Sequence, residues 1–509
     1  MSKKGVNLWK NINELDSEEA ITTQNLIYNN GMVKRGGQSL WASSQVVAST
    51  AITGLHRFYY GSGSVQTLAA CGTTVKYWDG AAWQNVKTGL TTGLQTYFTT
   101  WLNNAYISNG TDAPHKWNGA ADSAVSAAPA TTIQFLPYQD RLLSIDTTGN
   151  LTWSGSYDDT TWVSAANAGV RPDTQLFGMC YNSNTNNSSG YQSKVLLAGA
   201  NGMYIFWGTD LRYPSTIGNY TIYPLGTSVG CNAPRTMCWT PKGTIYLGID
   251  RQVYLLPFDS PQPVPIGQKV TSNTHLSGIQ GIEEMPTSYI KNACAAYHNN
   301  FYILSVMASG GIYNTIQWWL DLSRLYQDEN GHWGPWYGPM VGQSISCFAL
   351  MNGNGDSGQL LGGEANATTG GNVYQLNQSD VYSDNGTAIN LIWQTFYNPL
   401  GNVSLRKDVH RVETELLNVA GTTTMNFLDI DAFLQTGVTL NLSGGTYWND
   451  GYWNDNYWSG QVPTRQIIDC SPAIQPRRMS IYLTSSSSND KFQLYGLRVE
   501  AIEQNQVFA

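Results

Sequence analysis

The sequence predicts an all-β chain: a β-propeller followed by a C-terminal β-sandwich-like domain, with a short N-terminal helical arm. Three observations carry that expectation. First, apolar segments of four to six residues, rich in Ile, Val, Tyr and Trp, recur along the chain, each closed by Gly, Asp, Asn or Pro; this marks short strands joined by tight turns. The run over 204–256 is the clearest, with YIFWGTD, TIYPLG and TIYLGIDRQVYLL in succession. Second, a strand, a turn and a second strand carrying Tyr or Trp begin seven times, at Thr67, Asn104, Asp140, Lys194, Gly243, Phe301 and Gln359. Their spacings of 36 to 58 residues bracket the about 40–50 of a four-stranded blade but are too uneven to set the blade number. Third, the strands are apolar at consecutive positions (VLLA, YIFW, VYLL), as in sheets covered on both faces. A stacked pair of β-sandwiches, the structural rival, needs alternation.

In chain order, residues 1–50 read as the arm, 51–381 as the propeller and 382–509 as the sandwich-like domain. Asp16 precedes Ser17-Glu18-Glu19, a capping-box arrangement, with Leu15 and Ala20 placed as a hydrophobic staple. A helix through about Tyr28 is expected, ended by Asn29-Asn30-Gly31, then an exposed turn through Arg35-Gly36-Gly37. Inside the propeller, 321–326 has the composition for one or two helical turns. Trp333, Trp336 and Tyr337 are expected to fill the space between adjacent blades. Beyond about Tyr382 the strands lengthen and alternate, over Ile389–Phe396, Val409–Leu416, Thr422–Asp429, Met479–Leu483 and Phe492–Ala501.

Composition narrows the function. Charged residues are 12% of the chain, against about 25% in typical soluble proteins, and 27 basic against 35 acidic residues give −8. With no basic run, sequence-independent nucleic-acid binding is disfavoured, whereas a wall past which DNA slides without sticking is compatible. No apolar run reaches the 18 residues of a membrane helix, and the first residues lack the apolar core of a signal peptide, so a cytosolic protein, or one released by lysis, is expected. Seven scattered cysteines without a CxxC pair read as buried free thiols. Cys231 and Cys238 flank a turn, but no partner set for zinc lies nearby.

Two motifs carry possible chemistry. Ser156–Trp162 (SYDDTTW) is close to the Asp-box of sialidase propellers, but one residue short and without its Gly. Such a hydrolase also needs three convergent arginines, and nothing singles out three among Arg141, Arg171, Arg212, Arg235 and Arg251. A turn stabilised by Asp158 is the plainer reading. The loop 446–460, TYWNDGYWNDNYWSG, repeats Trp448, Trp453 and Trp458 every five residues beside Asp450 and Asp455. Aromatic rings next to Asn and Asp suit either a carbohydrate face or an anchor between subunits, and the interface reading is favoured. Calcium at Asp450 and Asp455 lacks a regular ligand ladder. No nucleophile triad or phosphate loop is present, so neither an enzyme nor a cofactor is indicated.

The opening, Gly5-Val6-Asn7, then Leu15-Asp16, Glu18-Glu19-Ala20, Asn25, Gly31 and Arg35-Gly36-Gly37, resembles the N-terminal pattern of bacteriophage tail hub (nozzle, or packaged-DNA stabilisation) propeller proteins. Gly36 stands where that pattern carries Pro. The QDRL strand at 139–142, the SYDDTTW turn, the VYLL strand, the Trp-rich loop and the closing FQLYGLRVEAIEQ are similar to the same family. The resemblance implies a six-fold ring in the virion tail, assembled in the host cytoplasm, whose bore conducts and gates DNA beneath portal and adaptor. Six copies at −8 carry −48, which suits a bore that DNA must leave quickly. Arg35, Trp448, Trp453, Trp458, Asp450 and Asp455 are then candidate contacts with neighbouring subunits, other tail proteins or fibres. The alternatives are a glycan-binding propeller that recognises a host surface through the Trp loop and, behind it, a sialidase-type hydrolase.

Overall fold

A computed structural model describes residues 2–61, 63–162, 174–183, 194–210, 219–271, 280–352, 358–402, 404–418, 422–429, 434–441, 464–485 and 492–503. Among them, seven four-stranded units form a β-propeller. Blades 1 to 5 are antiparallel meanders over 52–88, 97–124, 132–162, 176–224 and 238–265. Blade 6 uses Cys294–His298, Phe301–Met307, Asn314–Asp321 and Trp336–Val341. Blade 7 uses Ile345–Met351, Gln359–Glu364 and Val373–Gln378, and takes its fourth strand, Gly37–Leu40, from the start of the chain. The first strands touch in order from blade 1 to blade 7 and back to blade 1, so they line the axis of a closed ring.

Second strands such as Val195–Gly199 and Gly243–Leu247 are buried at every position, because neighbouring blades cover both their faces. That is why they read as apolar runs. The cores are wedges between blades: Trp336 packs with blade 5 and blade 6 residues, whereas Tyr337, the next residue, packs towards blade 7. Both are fully buried, and Trp336 Nε1 donates to Ile266 O at 2.9 Å. The expected filling of the space between blades is therefore met by Trp336 and Tyr337, while Trp333 lies half-buried in a hairpin that packs on the same core.

Beyond blade 6 the sheet does not stop. Gly5–Val6 pairs parallel to Trp336–Val341, Glu19–Thr22 pairs with Gly5–Val6, and Leu391–Thr395, Met479–Ser485, Thr422–Asp429 and Leu434–Asn441 follow, giving one ten-stranded sheet from the channel outward. A second sheet, ordered Leu26–Tyr28, Met32–Lys34, Phe492–Glu503, Lys407–Asn418, Thr464–Ile474, faces its outer part. Ala20, Leu26 and Met32 from the N-terminal strands, with Trp393, Phe427, Ile481 and Leu494, form the core between them. The sandwich thus grows from the rim of the propeller.

The helical arm needs correction. The capping-box hydrogen bonds do form: Asp16 N donates to Glu19 Oε2 at 3.1 Å, and Glu18 N to Asp16 Oδ1 at 3.3 Å. They close a turn, after which Glu19–Thr22 and Leu26–Tyr28 are strands. The β-branched run Ile21-Thr22-Thr23 and the burial of Ala20 against the sandwich outweigh the local cap. Leu15 packs with Ile21 and Tyr397 instead of stapling a helix. The expected helical turns over 321–326 are likewise absent. Asp321 Oδ1 accepts from Ser323 N at 2.9 Å and closes a turn leading into a hairpin, Tyr326–Gln327 with Trp333–Gly334.

Candidate functional site

The residues that could transmit force or contact a partner concentrate in two places: the joint between propeller and sandwich, and the mouth of the axial channel.

Arg35 organises the first. Its backbone leads into the closing strand of blade 7, where Gly36 and Gly37 pass between two other chain segments. A Cβ on Gly36 would lie 2.6 Å from Asn377 C, and one on Gly37 2.2 Å from Ser383 O, so only glycine fits at either position. That explains why a residue carrying a Cβ, such as Pro, does not stand at Gly36. The Arg35 guanidinium uses all five N–H groups. Nε reaches Asn25 Oδ1 (3.0 Å), Nη1 reaches Gly36 O (3.0 Å) and Asp384 Oδ1 (2.9 Å), and Nη2 reaches Val341 O (2.6 Å) and Asp384 Oδ2 (2.5 Å). Asn25, left-handed at φ +56°, also accepts Val341 N at 2.8 Å and donates to Asn390 O at 2.7 Å. One buried fork therefore joins blade 6, blade 7, the N-terminal hairpin and the segment that enters the sandwich. Arg35 was expected at an outer contact; with 0% exposure it is a core residue, because a guanidinium can be buried where every donor is met.

A second buried cluster lies where the N-terminal strand meets blade 6. Glu19 accepts from Asn7 Nδ2 (2.9 Å) and Lys269 Nζ (3.1 Å) on one oxygen, and from Lys10 Nζ (3.3 Å) and Asp16 N (3.1 Å) on the other. Lys269 Nζ also meets Tyr326 Oη at 2.7 Å and Asp328 Oδ2 at 3.1 Å. Burial works against the Glu19 carboxylate, but the Lys269 charge and these hydrogen bonds prevail and hold its pKa below the ordinary value. Asp328 is depressed in the same way: burial opposes, and the His332 backbone N–H and Lys269 outweigh it. Sequence reasoning missed this cluster, since its members are scattered from Asn7 to Asp328.

At the channel mouth, the turn Pro234–Thr236 between blades 4 and 5 sends Arg235 across the axis. Its guanidinium donates to Thr53 O in blade 1, to Thr96 O (2.9 Å) at the entry to blade 2 and to Ser346 O (3.4 Å) in blade 7, with the Tyr97 ring 5.1 Å away. Gln95 Nε2 reaches Lys291 O at 2.7 Å, tying the entries of blades 2 and 6 over the same end. Further in, His56 Nε2 lies 2.8 Å from Thr100 Oγ1 and the ring stacks on Phe98; burial lowers its pKa to about 4, so it is neutral at pH 7.

The SYDDTTW segment is a hairpin in which Asp158 accepts from Thr160 N (2.8 Å), Thr160 Oγ1 (2.6 Å) and Thr161 Oγ1 (2.8 Å), as the plainer reading expected. Arg141 donates to Ser154 O, Arg251 to Glu283 O and Met285 O, and Arg235 to the mouth, so these three do not converge. Arg171, Arg212 and the candidate contacts Trp448, Asp450, Trp453, Asp455 and Trp458 lie outside the described residues. The six cysteines whose side chains are described are free thiols. Burial pushes Cys71, Cys180 and Cys231 up to about 12, well away from thiolate chemistry. Among the described residues no group of three or more His, Cys, Asp or Glu is placed to hold a metal ion, and no helix is long and apolar enough to cross a membrane.

No family model matches the chain, and no curated protein matches it. Among solved structures it is similar to BBS1N crystallised in complex with ARL6DN, at 10% identity over 68% of this chain and 98% of that one, with a TM-score of 0.40. It is also similar to the WD40 beta propeller domain of Doa1 (11% identity, 66% of this chain and 97% of that one, TM-score 0.39) and to YCF48 bound to D1 peptide (9%, 70% and 98%, TM-score 0.40).

Proposed function

We propose that the chain is a structural virion protein, a bacteriophage tail hub or nozzle. In this reading six copies form a ring that continues the DNA channel below portal and adaptor. The ring helps retain and then release the genome, and it anchors fibres or neighbouring tail proteins. The observation that supports this best is the ten-stranded sheet, which runs without a break from an axis-lining strand of blade 6 to the outer part of the sandwich. With buried charge clusters on both sides of the joint, a load on the sandwich is passed to the propeller through backbone hydrogen bonds and not through a linker. The net charge of −8 with no basic run suits a wall that DNA passes without sticking. Because Arg235 crosses one end of each propeller, the DNA path in this reading runs between the copies along the ring axis. The reading assigns the protein no catalytic step.

Native mass spectrometry and negative-stain class averages of the full chain, alone and mixed with portal-containing particles, test it. A six-fold ring with a central channel is expected. A monomer that joins no particle would overturn the reading.

A further inference from the structure

We propose that the cleft between blades 6 and 7, on the face of the propeller opposite Arg235, is a binding site for a neutral hexose unit of a glycan. The cleft has a volume of about 300 Å³, within reach of the 300–1,000 Å³ typical of small-molecule sites. It is built from three pieces: the turn after the first strand of blade 6 (His298, Asn299), the start of the second strand of blade 7 (Gly358, Gln359) and the end of its third strand (Gln375 to Asp380). Each piece lies at the opposite end of its blade from the entry where Arg235 sits, since the first strands run from that entry to these turns.

The lining chemistry selects the ligand. Five carboxamides line it: Asn299, Gln359 and Gln375 can both donate and accept, which matches the paired donor and acceptor character of vicinal sugar hydroxyls, whereas Gln378 has only its oxygen left to offer and the Asn377 oxygen is buried. His298 adds a fixed acceptor. Its Nε2–H donates to Gly358 O at 2.8 Å, which leaves Nδ1 bare, and the ring is buried and neutral. Gln378 is held in place by bonds from its Nε2 to Ser39 Oγ (2.6 Å) and Gln375 O (3.0 Å), so part of the wall is pre-set by the blade-closing strand. Asn377 is left-handed at φ +54°, and its Oδ1, without a partner among the described residues, is closed off from solvent, so the ligand contacts fall to the other amides.

Other occupants fit less well. The described lining contains no Lys or Arg and one carboxylate, Asp380, so nucleic acid and acidic sugars meet no counter-charge. Its one aliphatic side chain, Leu376, is 2% exposed, so a peptide finds no apolar anchor there.

Saturation-transfer NMR on the full chain, with the methyl glycosides of glucose, galactose and N-acetylglucosamine and with sialyllactose as the anionic comparison, tests the site. At least one neutral glycoside should receive transfer, and more strongly than sialyllactose. Gln359→Ala with Gln375→Ala should weaken that titration by about fivefold for each hydrogen bond removed. Should the double variant unfold by circular dichroism, Gln375→Glu, which keeps the side chain's size, is read in its place and should also weaken binding. Trp453→Ala should leave it unchanged. No transfer to any neutral glycoside, binding indifferent to the cleft variants, or binding lost in Trp453→Ala would each overturn the proposal. None of these readouts depends on ring assembly, so this site and the tail reading stand or fall separately.

Discussion

Blades 1 to 5 and blades 6 and 7 use the same four-stranded unit, but they are held together differently. In the first group each blade is a local meander whose strands pair with their sequence neighbours. In the second, the outer strands are completed or continued by residues from the start of the chain and from beyond 382, and charged side chains are buried at the seams. The difference shows where this fold depends on single residues. A meander distributes its stability over many apolar contacts, whereas a seam closed by distant segments relies on a few buried charged groups and their hydrogen bonds.

Arg35→Met should produce the largest loss. It leaves Asp384 buried without its partner, and removing one side of such a pair costs about 3–5 kcal/mol. Guanidinium unfolding should show a lower midpoint, and hydrogen exchange should place the first opening in Gly37–Leu40 and Leu391–Thr395, not in blades 1 to 5. Gly36→Ala comes next, at about 1–3 kcal/mol, because the Asn377 backbone must move to admit a methyl group. Equal loss of protection in all seven blades would remove the distinction between the two groups.

Acid should separate the regions by pH window. His56 has a folded pKa of about 4, below its ordinary 6.5, so the unfolded chain binds more protons between those values. Its contribution is fully present above 6.5 and is lost as pH falls towards 4; in His56→Gln that loss should vanish. Glu19 and Asp328 have folded pKa values below their ordinary 4.5 and 3.8. Their contribution is present above those values and disappears as pH falls through the lower folded ones. Chemical denaturation midpoints against pH should therefore show an upper decline that depends on His56 and a lower one that Lys269→Met shifts.

The smallest effect is expected from Asp158→Ala, on an exposed hairpin of blade 3. Its midpoint should stay within experimental scatter of wild type. A loss comparable to that of Arg35→Met would mean that the local blades also hang on single polar groups.

The same contrast explains what could be read from sequence. The strand periods and turn residues of blades 1 to 5 are local signals, and the expected units at Thr67, Asn104, Asp140, Lys194 and Gly243 each fall within one of those blades. The arm was misjudged because the Asp16 and Glu19 hydrogen bonds are the same in a turn and at a helix start; what decides between them is the sandwich core that receives Ala20, Leu26 and Met32. The Arg35 fork and the Glu19 cluster were not legible at all, since they depend on pairings such as Arg35 with Asp384, 349 positions apart. The amide cleft is equally non-local, as it joins the 298 turn to the 375–380 segment.

That separation of 349 residues also has a meaning in time. At about 5–20 residues per second, roughly 20–70 s pass on the ribosome between synthesis of Arg35 and of Asp384. Blades 1 to 5 can form in order as they emerge. Gly37–Leu40 must wait throughout with its backbone unpaired, and nascent chains at this stage are the ones a folding helper in the cell would meet.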